Sequence, residues 1–268
     1  MNQEQSDTSI IRLENLAFKA DAPWKLEQLN LSFSEKLCTV ILGPSGSGKS
    51  LILKLAAGLY LPQSGRVLFQ GQNINSFSES ENSQFRKKTG FVFQDSALWA
   101  NKSVYQNLEL PLRFHEPSLP PTSIKQRIES TLVSLGYDED PGNRPHQISS
   151  GDQKRVSLGR AMVTNPQLIF LDDPTANLDG SGIEELIKVL ETLKARGTTL
   201  IMVNQYAPLT ARLADSLVVI SEGRVLDEGN FDQVTRSENP KVIEILTDVL
   251  SQSSTYSHDI LDLLGGDS

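Results

Sequence analysis

A single cysteine, Cys38, occurs in the 268 residues, so the chain has no internal disulfide and needs no such staple. It stands in an apolar run, where a small buried thiol is the expected role, and it points to a reducing compartment. Long apolar runs are also missing. Stretches such as Leu168 to Leu171 and Leu217 to Ile220 fall far short of the ~18 residues of a membrane span, so any membrane role needs a partner. Met1 to Ser9 is polar and lacks a cationic start followed by an apolar stretch, which argues against a secretory signal and for a cytoplasmic chain. Positive charge is not in excess either. The net charge of −8 and a pI near 5.0 argue against a nucleic-acid partner, although a local basic patch stays open. No internal repeat occurs, and the length suits one large α/β domain or one core with an inserted lobe.

What is present is a phosphate-binding loop. Gly43, Pro44, Ser45, Gly46, Ser47, Gly48, Lys49 and Ser50 fit the pattern G-x-x-x-x-G-K-[ST], between a strand-like run, Cys38 to Leu42, and a helix-like one. The glycines allow a tight turn that aims backbone N–H groups at phosphate oxygens, and the following helix adds its positive end. Lys49 is expected to bridge the β- and γ-phosphates of a nucleoside triphosphate, and Ser50 to hold Mg²⁺ through its hydroxyl.

Around this loop the pattern is that of a mixed α/β chain. Ile10 to Leu16 and Leu29 to Phe33 alternate as half-buried antiparallel strands do. Leu51, Leu55, Ala56 and Leu59 recur at helical spacing, with Gly58 close to the C-terminal end of the helix, and Gly65 to Gln70 reads as a strand. From about Asp95 to Asn165 the period is helical, divided by Pro117 to Pro121, which predicts an inserted helical lobe. Leu168 to Asp173 is a continuous apolar run ending in two carboxylates, as expected of a buried parallel strand. A helix over Ile183 to Leu193 with Gly197 as its cap, a strand over Thr198 to Val203, and a hairpin turning at Ser221 to Arg224 complete the core. In the tail, Val242, Ile245, Leu246, Val249 and Leu250 mark one helical face, packed on its own domain or on another subunit. After the polar spacer Ser251 to Ser257, Ile260, Leu261, Leu263 and Leu264 form a last apolar patch, and disorder is expected of the final four residues.

A strand ending in carboxylates downstream of a phosphate loop supplies what phosphoryl transfer needs: Asp172 near Mg²⁺ and Asp173 near the attacking water. By themselves the two residues could instead cap a strand, the weaker reading of the two and weaker still beside the loop.

From about Ile10 to Gly229 the chain resembles the ATP-binding cassette (ABC) ATPases. Gln94 matches their glutamine loop, and Ile148, Ser149, Ser150, Gly151, Asp152 and Gln153 stand where they have a signature helix start. Ala176 to Asp179 matches the loop that touches the opposing subunit, and Gln205 stands at the place of the switch histidine. The resemblance implies an α/β fold with a P-loop core, an N-terminal antiparallel β subdomain and an inserted helical subdomain at about residues 95–165. Residues 1–236 would form the ATPase domain and 237–268 a C-terminal helical extension and tail. It also implies ATP and Mg²⁺ as ligands, with Gly43 to Ser50 and Gln94 binding ATP. Ser50, Gln94 and Asp172 would hold the metal, and Lys49, Asp173 and Gln205 would act in hydrolysis. Two cassettes would close head to tail, so that Ser149, Ser150, Gly151 and Asp152 complete the opposing site; a helix N-terminus facing a γ-phosphate offers free donors and a favourable dipole.

Four residues depart from the family pattern. Asp173 replaces a glutamate and has a shorter reach, at a place where a general base contributes roughly 10²–10⁴-fold. Gln205 replaces histidine; it can donate a neutral hydrogen bond but offers no imidazolium. Ser150 and Asp152 replace glycine and glutamine. Serine would cost on the order of 1–2 kcal/mol if position 150 needed a positive φ, and Asp152 adds negative charge near a phosphate. At the place of the adenine-stacking aromatic stands Ala20, with Phe18 or Trp24 as substitutes.

Gln94 to Trp99, Val104 to Leu108 and Pro111 to Arg113 resemble the cassettes of bacterial Mla/Mce-type lipid transporters, as do Asn239, Pro240 and the helix after them. The same residues also suit the generic groove of any ABC importer or exporter. The lipid-transporter resemblance implies an integral membrane permease whose coupling helix meets Leu98, Trp99 and Tyr105, a second cassette in a homodimer, and a Mce-type lipid-binding subunit. No nucleic acid is expected, and the chain would sit peripherally on the inner face of the plasma membrane. The residues Ile260 to Leu264 would strap across the partner cassette. Two other readings are a soluble ABC protein acting on nucleic acid, for which a second cassette, a long coiled coil and a basic linker are missing, and a nucleotide-gated module with negligible turnover.

Overall fold

A computed structural model of the protein describes residues 9–19 and 25–251. The strands in chain order are β1 (Ser9–Lys19), β2 (Lys25–Ser34), β3 (Cys38–Leu42), β4 (Ser64–Phe69), β5 (Gln72–Asn73), β6 (Thr89–Val92), β7 (Leu168–Asp172), β8 (Thr199–Val203), β9 (Ser216–Ser221) and β10 (Arg224–Asn230). The helices are α1 (Lys49–Ala56), α2 (Glu79–Lys88), α3 (Val104–His115), α4 (Pro121–Ser134), α5 (Ser150–Met162), α6 (Gly180–Ala195), α7 (Ala207–Leu213), α8 (Phe231–Thr235) and α9 (Pro240–Ser251).

The alternating N-terminal segments pair as the alternation requires. In β1 and β2, Ile11 lies opposite Phe33, Leu13 opposite Leu31 and Leu16 opposite Leu29, so the apolar residues of both strands share one face. With β4 and β5 they make a 4-stranded antiparallel sheet in the order β2-β1-β4-β5. The continuous apolar runs β3, β7 and β8 instead occupy the middle of a 6-stranded sheet, β10-β9-β3-β8-β7-β6, parallel except for the β9–β10 hairpin. Both faces of these strands are covered. Val40, Leu42, Ile169, Leu171, Leu200 and Met202 pack against α6, α7 and α9, whereas Ile41, Phe170, Ile201 and Val203 pack against α1, β1 and β2. Each such side chain contributes roughly 1.5–3 kcal/mol by leaving water. Cys38 is buried in the first layer, and burial pushes its thiol up to about 12, so it is an inert core residue.

The inserted lobe has its own core of Val104, Leu108, Leu112, Ile124, Ile128, Leu132 and Val156, supplied by α3, α4 and α5. Its helical structure does not begin near Asp95: residues 95–103 are irregular, with Ser96 and Ala97 in the left-handed region (φ 62° and 43°), and α3 starts at a capping box formed by Ser103 and Gln106. Pro121 opens α4 at its first position, where a missing N–H costs nothing. The end of α1 falls where expected, close to Gly58: the helix stops at Ala56. The amides of Ala57, Gly58 and Leu59 turn back to the carbonyls of Leu53, Leu55 and Lys54, with Gly58 at φ 62°.

Val242, Ile245, Leu246 and Val249 of α9 are buried in the layer of α6, so this face belongs to its own domain. Ala20, Trp24, the Leu250 side chain, residues 252–257, the patch from Ile260 to Leu264 and the last four residues lie outside the described residues.

Candidate nucleotide site

Parallel strands bring their C-terminal ends to one edge, and the chemistry of the chain collects there. Ile41 of β3 and Asp172 of β7 both stand beside Val203 of β8, while Val92 of β6 stands beside Leu171. The loop Gly43–Ser50, Gln94, Asp173 and Gln205 therefore all follow strand ends on the same side of the sheet, where open α/β sheets bind ligands.

The loop leaves no room for side chains at its start. Gly43 has φ 153°, and a Cβ there would lie 2.1 Å from the carbonyl oxygen of Ile220. Gly48 caps α1 in the left-handed region with no side-chain hydrogen bond to the helix, so the first amides of α1 have no side-chain acceptor. The Ser47 hydroxyl is buried and unpaired among the described residues. Lys49 is only 6% exposed, and its Nζ donates to the carbonyls of Gly43 (2.8 Å) and Pro44 (2.7 Å). Burial lowers its pKa, opposed by the carboxylates of Asp172 and Asp173. Free amides, an orphan hydroxyl and an ammonium in one buried turn fit a polyphosphate.

Ser50 donates to Asp172 Oδ1 at 2.6 Å, and Lys54 lies 3.8 Å from Asp172 Oδ2. Gln94 Nε2 donates to Asp173 Oδ2 at 3.4 Å, which leaves its amide oxygen as an acceptor. Among the described residues no three His, Cys, Asp or Glu groups converge. One hydroxyl, one carboxylate and one amide oxygen fit a hard cation such as Mg²⁺, which takes its remaining oxygens from water and phosphate.

Asp173 is held by its backbone as much as by its side chain. It lies at φ 46°, with its N–H donating to Val203 at 2.9 Å. Thr175 Oγ1 lies 3.4 Å from Asp173 Oδ1 and 3.2 Å from Asn204 Oδ1, in hydrogen-bond contact with both, and the buried Asn204 donates to the Tyr206 carbonyl and Thr210 Oγ1. Burial raises the pKa of Asp173, with Asp172 acting in the same direction; the Thr175 hydroxyl, Lys154 and Lys49 oppose this.

Ser149, Ser150, Gly151 and Asp152 open α5, and no hydrogen bond among the described residues joins them to the phosphate loop. Ser149 is the N-cap, accepting from the Asp152 amide at 3.0 Å and donating to Asp152 Oδ2 at 2.6 Å. Arg155 pairs with Asp152 at 2.6 Å and also with Glu185. Ser150 Oγ donates to the carbonyl of Asn177 at 3.4 Å, and Asp179 caps α6 through the Gly182 amide. Gln205 is exposed, and Phe18 lies beside Tyr60 with ring centroids 6.0 Å apart. Leu98 and Tyr105 pack against the lobe core, whereas Trp99 is 56% exposed.

The family model described as ABC transporter matches residues 26–176. The chain belongs to the ABC transporter family. It is similar to the intermembrane phospholipid transport system ATP-binding protein MlaF of Haemophilus influenzae, with 31% identity over 89% of this chain and 90% of that protein. It is 28% identical to the ABC transporter ATP-binding protein YxdL of Bacillus subtilis, over 92% of this chain and 94% of the relative. A dimeric structure of the ATP-binding cassette MJ0796 in a post-hydrolysis state, bound to ADP and Pi, superposes with a TM-score of 0.76 at 28% identity, covering 82% of this chain and 98% of that one. The protein is an ABC-type, ATP-binding ATPase subunit, and among its described residues no helix is long and apolar enough to cross a membrane.

In this cassette two departures from the family pattern carry less cost than expected. Ser150 is the first helical residue of α5 and is not at positive φ, so serine brings no left-handed strain there. The charge of Asp152 is met by Arg155. The left-handed residue is Asp173 itself. Sequence reasoning gave no role of their own to Thr175, Asn204 and Lys154. Thr175 stands two residues after Asp173 and Asn204 directly before Gln205, so both were within reach of the motifs. Lys154 directly follows the run that ends at Gln153, but nothing local marks it as a buried lysine.

Proposed function

We propose that this cassette uses Lys49, Ser50, Asp172, Asp173, Gln94 and Gln205 to bind and hydrolyse ATP with Mg²⁺, and that its turnover drives a membrane permease carrying phospholipid or another hydrophobic cargo. The observation that carries the site reading is the 2.6 Å contact of Ser50 with Asp172 beside the buried Lys49. Magnesium, once bound there, would neutralise phosphate charge.

The chain's own groups do the rest. The amides of the loop Gly43–Ser50 bind the phosphates, and Lys49 exchanges its bonds to the Gly43 and Pro44 carbonyls for phosphate oxygens. Asp173, made more basic by burial, accepts the proton of the attacking water, oriented by Thr175 and by the amide of Gln94. Gln205 offers a neutral donor to the γ-phosphate. Ser149 and the amides near Gly151 complete the site of a second copy of this chain, which closes head to tail; the dimeric cassette structure supports the pairing of two copies. Within one chain a Cβ on Gly151 would make only ordinary contacts, at 3.7 Å, so the amides there are open to a ligand from outside the chain.

The similarity to the phospholipid-transport protein supports a lipid cargo; a permease partner, a Mce-type subunit and a place on the inner face of the membrane belong to the same proposal. Residues 1–236 then form the ATPase domain, with the helical subdomain at about 95–165, and 237–268 the C-terminal extension. In Lys49→Ala, ATP affinity and turnover should both fall at least about 100-fold, as expected when a buried phosphate-binding charge is lost. Unchanged binding and turnover, measured by equilibrium titration and phosphate release, would overturn the site reading.

A further inference from the structure

Helix α1 aims two side chains at one carboxylate. Ser50 and Lys54 stand one helical turn apart and so on the same face of the helix. Ser50 Oγ donates to Asp172 Oδ1 at 2.6 Å, and Lys54 Nζ lies 3.8 Å from Asp172 Oδ2, so both oxygens of the carboxylate are engaged from one element. Among the described residues Lys54 is the one cation within ion-pair distance of Asp172; Lys49 gives its hydrogen bonds to the Gly43 and Pro44 carbonyls. The Asp172 side chain is 4% exposed and that of Lys54 30% exposed, so a buried carboxylate takes its counter-charge from a group that still reaches water. Neither end of the pair is loosely held. Asp172 closes β7 beside Val203 of β8, and the Lys54 carbonyl accepts the amides of Leu59, at 2.9 Å, and Tyr60, at 3.4 Å, where α1 ends.

Asp172 is also the carboxylate of the donor set that fits Mg²⁺, beside the Ser50 hydroxyl. We propose that Lys54 competes with the metal for Asp172: it serves as counter-ion to this buried carboxylate, yields it to Mg²⁺ and takes it back as the metal leaves, so that the charge of Lys54 sets how strongly Mg²⁺ is held. This rests on the reading of Ser50 and Asp172 as metal ligands. An ammonium 3.8 Å from a ligand oxygen repels a divalent cation bound there. Its exposure lets water screen part of that repulsion. Losing the ammonium does not cost Asp172 its place, because the Ser50 bond and the pairing of β7 with β8 hold it, so freeing the carboxylate outweighs the lost support. Lys54 acts through Asp172 and is a positioning residue.

Calorimetric titration of the full chain with ADP, in excess Mg²⁺ and again in excess EDTA, tests this. The ratio of the two affinities reports how strongly the metal is held beside the nucleotide, and pairing of Mg²⁺ with ADP in solution is the same for every variant. In Lys54→Met, which keeps much of the side chain without its charge, the ratio should rise about tenfold over the wild type. Lys54→Gln, neutral but still a donor, should rise as far, and Lys54→Arg, which keeps the charge, should stay within about twofold of the wild type. In EDTA without nucleotide the neutral variants should melt at a lower temperature than the wild type, and Mg²⁺ with ADP should raise their melting temperature by more. Should Lys54→Met not fold, Lys54→Gln and Lys54→Arg carry the comparison. A ratio that does not rise in the neutral variants overturns the competition and leaves Lys54 a structural counter-ion. A rise in Lys54→Arg as large as in Lys54→Met overturns the role of charge. A wild type that binds ADP equally in Mg²⁺ and in EDTA overturns the metal reading of Ser50 and Asp172, and the competition with it.

Discussion

Asp173 joins a left-handed backbone to a carboxylate that burial makes more basic. Aspartate and asparagine tolerate positive φ better than longer side chains do, so the short acid suits its backbone even though it reaches less far than glutamate. The buried Asn204 and Thr175 complete its support. If Asp173 is the base, it must be ionised. A raised pKa therefore moves the acid limb of kcat above the ordinary carboxylate range, with activity lost as pH falls through it. Asp173→Asn should remove that limb and lower kcat by about 10²–10⁴-fold, read from pH–rate profiles of both chains. A persistent limb in the variant would assign it to another group. The phosphate loop was legible because its members are consecutive and its glycines are demanded by local geometry. The support of Asp173 was not, because Thr175 meets Asn204 only after β7 and β8 pair.

Helix α5 is where elements constrain one another most tightly. Its N-terminus is organised by Ser149, Asp152 and Arg155, its middle holds the glutamine loop, and its end lies against β6. A Cβ on Gly90 of β6 would come within 2.4 Å of the Ala161 carbonyl, so backbone meets backbone there. Gly90→Ala should cost about 1–3 kcal/mol, because neither main chain can yield without moving the helix. Thermal or urea unfolding checks this, and a loss under a few tenths would show that α5 shifts freely. Helix and strand periods were readable in the sequence at this scale. The irregular stretch 95–103 was not, since Ser96 and Ala97 take their left-handed shape from bonds to Ser157 and Arg160, some 60 residues further on.

For the whole molecule, the open question is the machine it powers. Gently solubilised membranes should yield this chain with a permease, a Mce-type subunit and bound phospholipid, identified by mass spectrometry. A different permease would change the cargo and keep the motor, whereas only soluble partners would overturn the membrane assignment. The sequence by itself determined the order of motifs and the family, because a phosphate loop and an apolar strand ending in carboxylates are local patterns written in consecutive residues. It also determined the alternation that separates the two sheets. Tertiary structure decided which side chains meet: Ser50 with Asp172, Asp152 with Arg155, and Lys154 with the carbonyls before Asp95. It also seated α9 on its own core. These pairings join residues distant in the chain, and their energy comes from desolvation and geometry that exist only once the strands are in register.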